Sequence, residues 1–243
     1  MLRTLTYLSL PPAVILALTA CNTEPPPNPQ GVGYRTGLEE GEPNSAERGT
    51  VKISEVMWSG SVDENGNWDP SDVFVELRNE SARPVNMSGW QLSLTGSRVQ
   101  TWVLPKMEGK LPVGDHLFIA AKSTGCFPEP DLLIPEMAFV YGDPLQLTLR
   151  DADDRLVEPI GDDEAPPFAG GYDGVQSRSM ERLELMFGGE GGFPHSWHFY
   201  TDAEVDVPNN DNVAERCRAN TFASPGRPNS PDYSGAFATG SFE

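Results

Sequence analysis

Basic side chains are scarce in this sequence. Its 243 residues hold 17 Lys plus Arg against 36 Asp plus Glu, a formal charge of −19. Nucleic-acid binders neutralise phosphates with Lys and Arg, so no DNA or RNA partner is expected. An acidic surface suits cations, basic protein patches or solubility alone. Histidine is rarer still, with three copies. No GxSxG, SxxK or HExxH pattern occurs, so neither a nucleophile–base pair nor a zinc-hydrolase motif is present. No GxxxxGK[ST] loop offers to cradle a phosphate. No catalytic residue is assigned, and the expectation is a non-enzyme. Internal repeats and long stretches of helical period are missing too. In their place stand 24 Gly and 23 Pro, with 38% hydrophobic residues. That is too apolar for wholesale disorder and too rich in turn formers for a helical protein. Short strands joined by many turns are expected.

The first 21 residues read MLRTLTYLSLPPAVILALTAC. Arg3 opens the segment, an apolar stretch runs from Leu5 to Leu18, and small residues close it, which is signal-peptide anatomy over 1–20. It is too short for a membrane span, and Pro11 and Pro12 would each remove a helix hydrogen bond. Leu18-Thr19-Ala20-Cys21 resembles the lipobox of bacterial lipoproteins. The resemblance implies cleavage before Cys21, diacylglycerol on its sulfur and acylation (palmitate-like) of the new amine. Two or three acyl chains anchor a protein firmly, at roughly 0.8 kcal/mol per buried CH₂. A secretory signal with a chance Cys is the alternative. Asp after the Cys favours inner-membrane retention in such proteins; Asn22 stands here and leans toward an outer membrane where one exists. The expected address is the bacterial cell envelope, outside the cytoplasm, with the membrane and envelope proteins as partners. Nothing in the sequence fixes the oligomeric state. Residues 21–50, with Pro25, Pro26, Pro27, Pro29 and Pro43, are predicted to be a disordered tether, and 231–243 a flexible tail.

In an exported chain the remaining cysteines, Cys126 and Cys217, form an even pair. They are either a disulfide closing about 90 residues, worth about 4–5 kcal/mol by chain entropy, or two buried thiols.

From residue 51 the pattern turns to strands. VKISEVMW (51–58), VFVELRN (73–79), VNMSGWQLSLT (85–95), TWVL (101–104), HLFIAAK (116–122), MAFVY (137–141), LQLTLRD (145–151), RLVEPI (155–160) and SMERLELMF (179–187) are each bounded by Gly, Pro, Asn or Asp. The spacing predicts a sandwich or barrel. Ile53-Ser54-Glu55-Val56, the run Phe74 to Ser81, Met87 to Leu92, Leu104-Pro105, Leu111 to Asp115 and Asp143 to Val157 resemble the lamin tail domain in order and spacing. Ser224-Pro225-Gly226-Arg227-Pro228-Asn229 is similar to the Pro-Gly-x-x-Asn close of its bacterial members. The resemblance spans roughly 50–230 and implies an all-β, immunoglobulin-like β-sandwich. There is no coiled-coil rod, so filament assembly does not carry over.

Trp90 is expected between the sheets, with Gly89 allowing a bend or bulge and Asn79 closing a turn through its side chain. The Gly- and acid-rich stretch 161–217 reads as an insertion in which a function particular to this protein would lie. Asp63, Asn65, Asn67 and Asp69 alternate as in the opening of a calcium loop. Against that stand Gly66 at the fourth place and Phe74 where a bidentate Glu belongs; a solvated turn is the simpler expectation. His195 and His198, three apart, are a sparse zinc pair, with packing beside Trp197 preferred. Asp151, Asp153 and Asp154, like Asp162, Asp163 and Glu164, are expected to be solvated acids. The leading function is a non-catalytic, membrane-anchored interaction or structural module. A calcium-assisted binder of carbohydrate or envelope protein is the alternative, and a metal-dependent hydrolase comes third.

Overall fold

Alternation with a period of two becomes strand at most of its occurrences. The computed structural model describes residues 45–96, 98–183, 190–201 and 212–231, all within the unit Tyr34–Glu243. The leader, Cys21, the Pro cluster, residues 184–187 of the last expected strand and the tail beyond 231 lie outside the described residues. The strands in chain order are β1 (Val51–Met57), β2 (Ser61–Val62), β3 (Trp68–Asp69), β4 (Phe74–Asn79) and β5 (Gln91–Gly96). There follow β6 (Gln100–Val103), β7 (His116–Ala120), β8 (Leu132–Leu133), β9 (Leu145–Arg150) and β10 (Leu156–Asp162). Last come β11 (Gly171–Tyr172), β12 (Ser177–Arg178), β13 (Met180–Arg182), β14 (Trp197–Phe199) and β15 (Thr221–Phe222). No α-helix occurs among the described residues.

Two sheets form the sandwich, in the orders β14-β13-β1-β4-β7-β8 and β10-β9-β5-β6. Ile53, Val75, Leu77 and Ile119 of the first face Leu92, Leu147 and Leu149 of the second, in one fully buried cluster that includes Trp90. Each such aliphatic side chain contributes roughly 1.5–3 kcal/mol. The fold is therefore an immunoglobulin-like β-sandwich.

The central strands are covered on both faces, which alternation alone does not announce. Along β4, Val75 and Leu77 enter the main core, while Phe74 enters a second cluster with Met57, Phe118, Phe127, Val213 and Ala223. A bulge between Ile53 and Glu55 in β1 turns Glu55 and Met57 to that second side. The chain from 212 to 231 lies over it.

Asn79 is fully buried and organises two loops. Its Nδ2 donates to the carbonyls of Arg83, Leu111 and Pro112, and its Oδ1 accepts from Ser81 N–H and Oγ. Gly89, with φ +74°, occupies a turn in which Trp90 N–H donates to Met87 O. The strand expected over 85–95 therefore begins only at Gln91.

MAFVY is not a strand. Met137 and Phe139 are buried as alternation suggests, but β6 and the turn before it meet the start of this segment with side chains. Trp102 Nε1 and Gln100 Nε2 donate to Glu136 O, and Arg98 donates to Ala138 O. Carbonyls satisfied this way need no backbone ladder. At the other end, the tether expected through residue 50 stops short of it. Gly49 N–H donates to Val157 O, Glu80 N–H to Thr50 O, and Ala46 is buried in the core.

Candidate binding cleft

The 63–72 loop is a hairpin between β2 and β3 whose oxygens serve the loop itself. Asp63 Oδ1 accepts from the N–H groups of Asn65 and Asn67, and its Oδ2 from Asn67 Nδ2. These bonds, led by that of the Asn67 side chain, hold its carboxyl below the usual range. Asp69 Oδ2 lies 2.5 Å from Lys122 Nζ, and its Oδ1 accepts from Ser71. Burial pushes this carboxyl up, but the bonds from Lys122 and Ser71 outweigh it and leave it lowered. A lysine sits where a calcium reading needs a cation. No cluster of three or more His, Cys, Asp or Glu able to hold a metal occurs among the described residues.

The histidines do not converge. His195, in a 3-10 turn, stacks on Phe193 at 5.4 Å. His198, on β14, approaches Glu181 at 3.8 Å, and Trp197 beside it donates to Gly191 O. Cys126 and Cys217 are joined as a disulfide with Cα atoms 5.8 Å apart. Asp151 is not a solvated acid. It is fully buried, caps the β9–β10 turn through the N–H groups of Asp153 and Arg155, and faces the Arg155 guanidinium at 3.4 Å.

What the hairpin does carry is an aromatic ring. Trp68 stacks on Tyr172 of β11 with centroids 4.8 Å apart and planes 10° apart. Trp58, just past β1, stacks on Tyr141 at 5.6 Å, and Trp68 meets Tyr141 edge-on. Every polar handle is engaged by a carbonyl. Trp58 Nε1 donates to Ala169 O, Trp68 Nε1 to Ser59 O, Tyr141 Oη to Tyr172 O, and Tyr172 Oη to Gly174 O. The rings are thereby fixed, with only carbon surface free. Gly171 (φ +129°) lies against Trp58, where an added Cβ would come within 3.3 Å of the indole.

Between Trp58, Tyr141, Tyr172 and Phe199 opens a cleft of about 270 Å³, with Asp173, Gln176 and Arg178 at its rim. Tyr141 and Phe199 are 46% and 54% exposed, enough for a ligand to reach. Exposed apolar surface rimmed by polar groups marks a binding site. Sequence reading missed it because its rings come from four separate segments. The signal available was the aromatic content of the insertion.

A second polar cluster is closed to solvent. Glu181, Glu55 and Glu76 stand side by side on β13, β1 and β4, all fully buried. Ser224 N–H donates to Glu55, Gly226 N–H to Glu76 and Ser230 N–H to Glu181. His116 Nδ1 lies 2.6 Å from Glu76. Burial, then the charges of Glu181 and Glu76, push Glu55 well above the carboxylate range. Burial likewise pushes Glu181 up to about 7. The cluster grips the closing segment.

Residues 44–161 match the family model for the Lamin Tail Domain. This segment is a lamin tail domain. No curated protein matches the chain. The lamin tail domain belongs to a non-catalytic, immunoglobulin-like class of interaction domain. It supplies Trp58 and Tyr141 to the cleft and Trp68 as the ring stacked on Tyr172, whereas Tyr172, Phe199 and the polar rim come from the chain beyond it. The cleft is thus a joint product of the lamin tail domain and its C-terminal extension.

Proposed function

We propose that this protein is a non-catalytic binding module, held by lipid on Cys21 at a membrane of the bacterial cell envelope, that offers the aromatic cleft to a partner. The observation that carries the binding role is the set of fixed, solvent-reachable rings at the junction of the domain and its extension. A preformed surface binds without the cost of ordering its own side chains. The leader ending in Leu18-Thr19-Ala20-Cys21 supports the anchor, and the Pro-rich stretch after it supports a spacer between lipid and domain.

The anchor is tested by the intact mass of protein recovered from membranes, beside a Cys21→Ala variant. The expected species begins at Cys21, carries added acyl mass, and is lost in the variant, which moves to the soluble fraction. An unmodified full-length chain, or membrane attachment that survives Cys21→Ala, would overturn it.

A further inference from the structure

We infer that the aromatic cleft binds a neutral oligosaccharide chain, stacking sugar C–H faces on its rings and taking hydroxyls at its rim. This rests on the binding-module reading and gives that module a ligand class. Tyr141 and Tyr172 have their polar atoms engaged with backbone carbonyls, so they present flat carbon surface of negative electrostatic face to the cleft. A pyranose is the complementary shape, with a patch of polarised C–H bonds on one face and hydroxyls around its edge.

The rim supplies the partners those hydroxyls need. Asp173 uses Oδ1 for the N–H groups of Val175 and Gln176, which leaves Oδ2 as an acceptor. Gln176 Oε1 accepts from Arg178 at 3.3 Å, which leaves the Nε2 amide as a donor. A sugar hydroxyl both donates and accepts, so an adjacent acceptor and donor suit neighbouring hydroxyls. At about 270 Å³ the cleft falls just below the roughly 300 Å³ at which sites for drug-sized ligands begin. It is open to solvent, as suits one unit of a chain that continues outside. The formal charge of −19 disfavours nucleotides and acidic polysaccharides through long-range repulsion.

The full chain, extracted from membranes in a non-glycosidic detergent, is titrated by calorimetry with hexasaccharides. Those of β-1,4-glucose, β-1,4-N-acetylglucosamine and α-1,4-glucose are compared with hexagalacturonate and with a proline-rich peptide. At least one neutral hexasaccharide is expected to bind, and hexagalacturonate more weakly at low salt. Tyr172→Ala and Phe199→Ala should each weaken binding by about tenfold. Phe193→Ala, exposed but outside the cleft, should leave it unchanged. Should Tyr172→Ala fail to fold, Phe199→Ala decides, because that ring is 54% exposed. No binding by any neutral saccharide, or binding indifferent to both cleft variants, overturns the inference. Peptide binding without saccharide binding overturns it too, yet leaves a binding module. Saccharide binding by a chain that shows no lipid on Cys21 sinks the anchor alone.

Discussion

Glu181 accepts hydrogen bonds from Ser230 N–H and Oγ at one oxygen, and its other oxygen lies 2.5 Å from Ser224 Oγ. Ser224 Oγ also lies 3.2 Å from Glu55 Oε2, and a hydroxyl has one proton to give. A proton retained on one of the two glutamates supplies the missing bond. It also relieves the burial of three like charges beside His116 and His198. The free-energy sign follows from Glu181. Its carboxyl titrates near 7 in the folded chain against an ordinary value of 4.5. The folded state thus holds a proton between those values that the unfolded chain has released. Stability from this group is fully present below about pH 4.5 and is lost as pH rises through 7. The slope reaches up to about 1.4 kcal/mol per pH unit for one proton. Asp63, Asp69 and Asp173, with lowered values, act in the opposite sense, as pH falls below their ordinary 3.8. Melting temperature is therefore expected to decline from pH 4.5 to 7.5, with a flatter profile in Glu181→Gln. Equal slopes in the two proteins would refute the retained proton. Little of this was legible in the sequence. Alternation in VFVELRN shows that Glu76 faces away from Val75, but its cover, Gly226, lies 150 residues downstream.

Among the elements, the longer strands of the lamin tail domain were readable because most carry apolar residues at period two. MAFVY shows the limit of that signal, since period two reports burial on one side and says nothing of where the carbonyls bond. The short strands β2, β3, β8, β11, β12 and β15 were not readable at all. Two residues carry no period, and β12 and β15 exist through partners far away, in the parallel pairing Ser177↔Thr221. The cleft inherits this difficulty, because β11 brings Tyr172 to Trp68. The closing segment works as an element without secondary structure. Asn229 Nδ2 donates to Ser54 O on β1 at 2.9 Å and Arg182 O on β13 at 2.8 Å, so one amide bridges two strands and seats the segment over the glutamates. Asn229→Ala is expected to cost about 1–3 kcal/mol, by leaving both carbonyls without this donor. Asn229→Asp should cost more, since it adds a carboxylate beside three. Urea midpoints measure both. A change within about 0.5 kcal/mol, as for an ordinary surface site, would show that the bridge contributes nothing.

For the whole molecule, the question is how the lamin tail domain and the chain beyond residue 161 become one folded body. The six-stranded sheet is one answer, because β13 and β14 extend it from the β1 edge. The disulfide is the other. Cys126 lies after β7 and Cys217 in the turn Glu215–Cys217, 91 residues apart, so the bond ties the domain to its extension. Both sulfurs sit in the second core with Phe74, Phe118 and Val213, away from the Trp90 cluster. Loss of the bond should therefore act unevenly. The Cys126→Ser/Cys217→Ser variant is expected to lose about 2–5 kcal/mol in denaturant midpoint, with reductant lowering the parent protein toward it. Hydrogen exchange locates the damage. Amides of Thr221 to Ser230, and of the strands they cover, should exchange faster, while Leu92, Leu147 and Leu149 keep protection close to the global limit. Uniform acceleration would instead mean that the two cores open as one unit. The bond would then stabilise the sandwich as a whole, and the second core would not be a separate clasp.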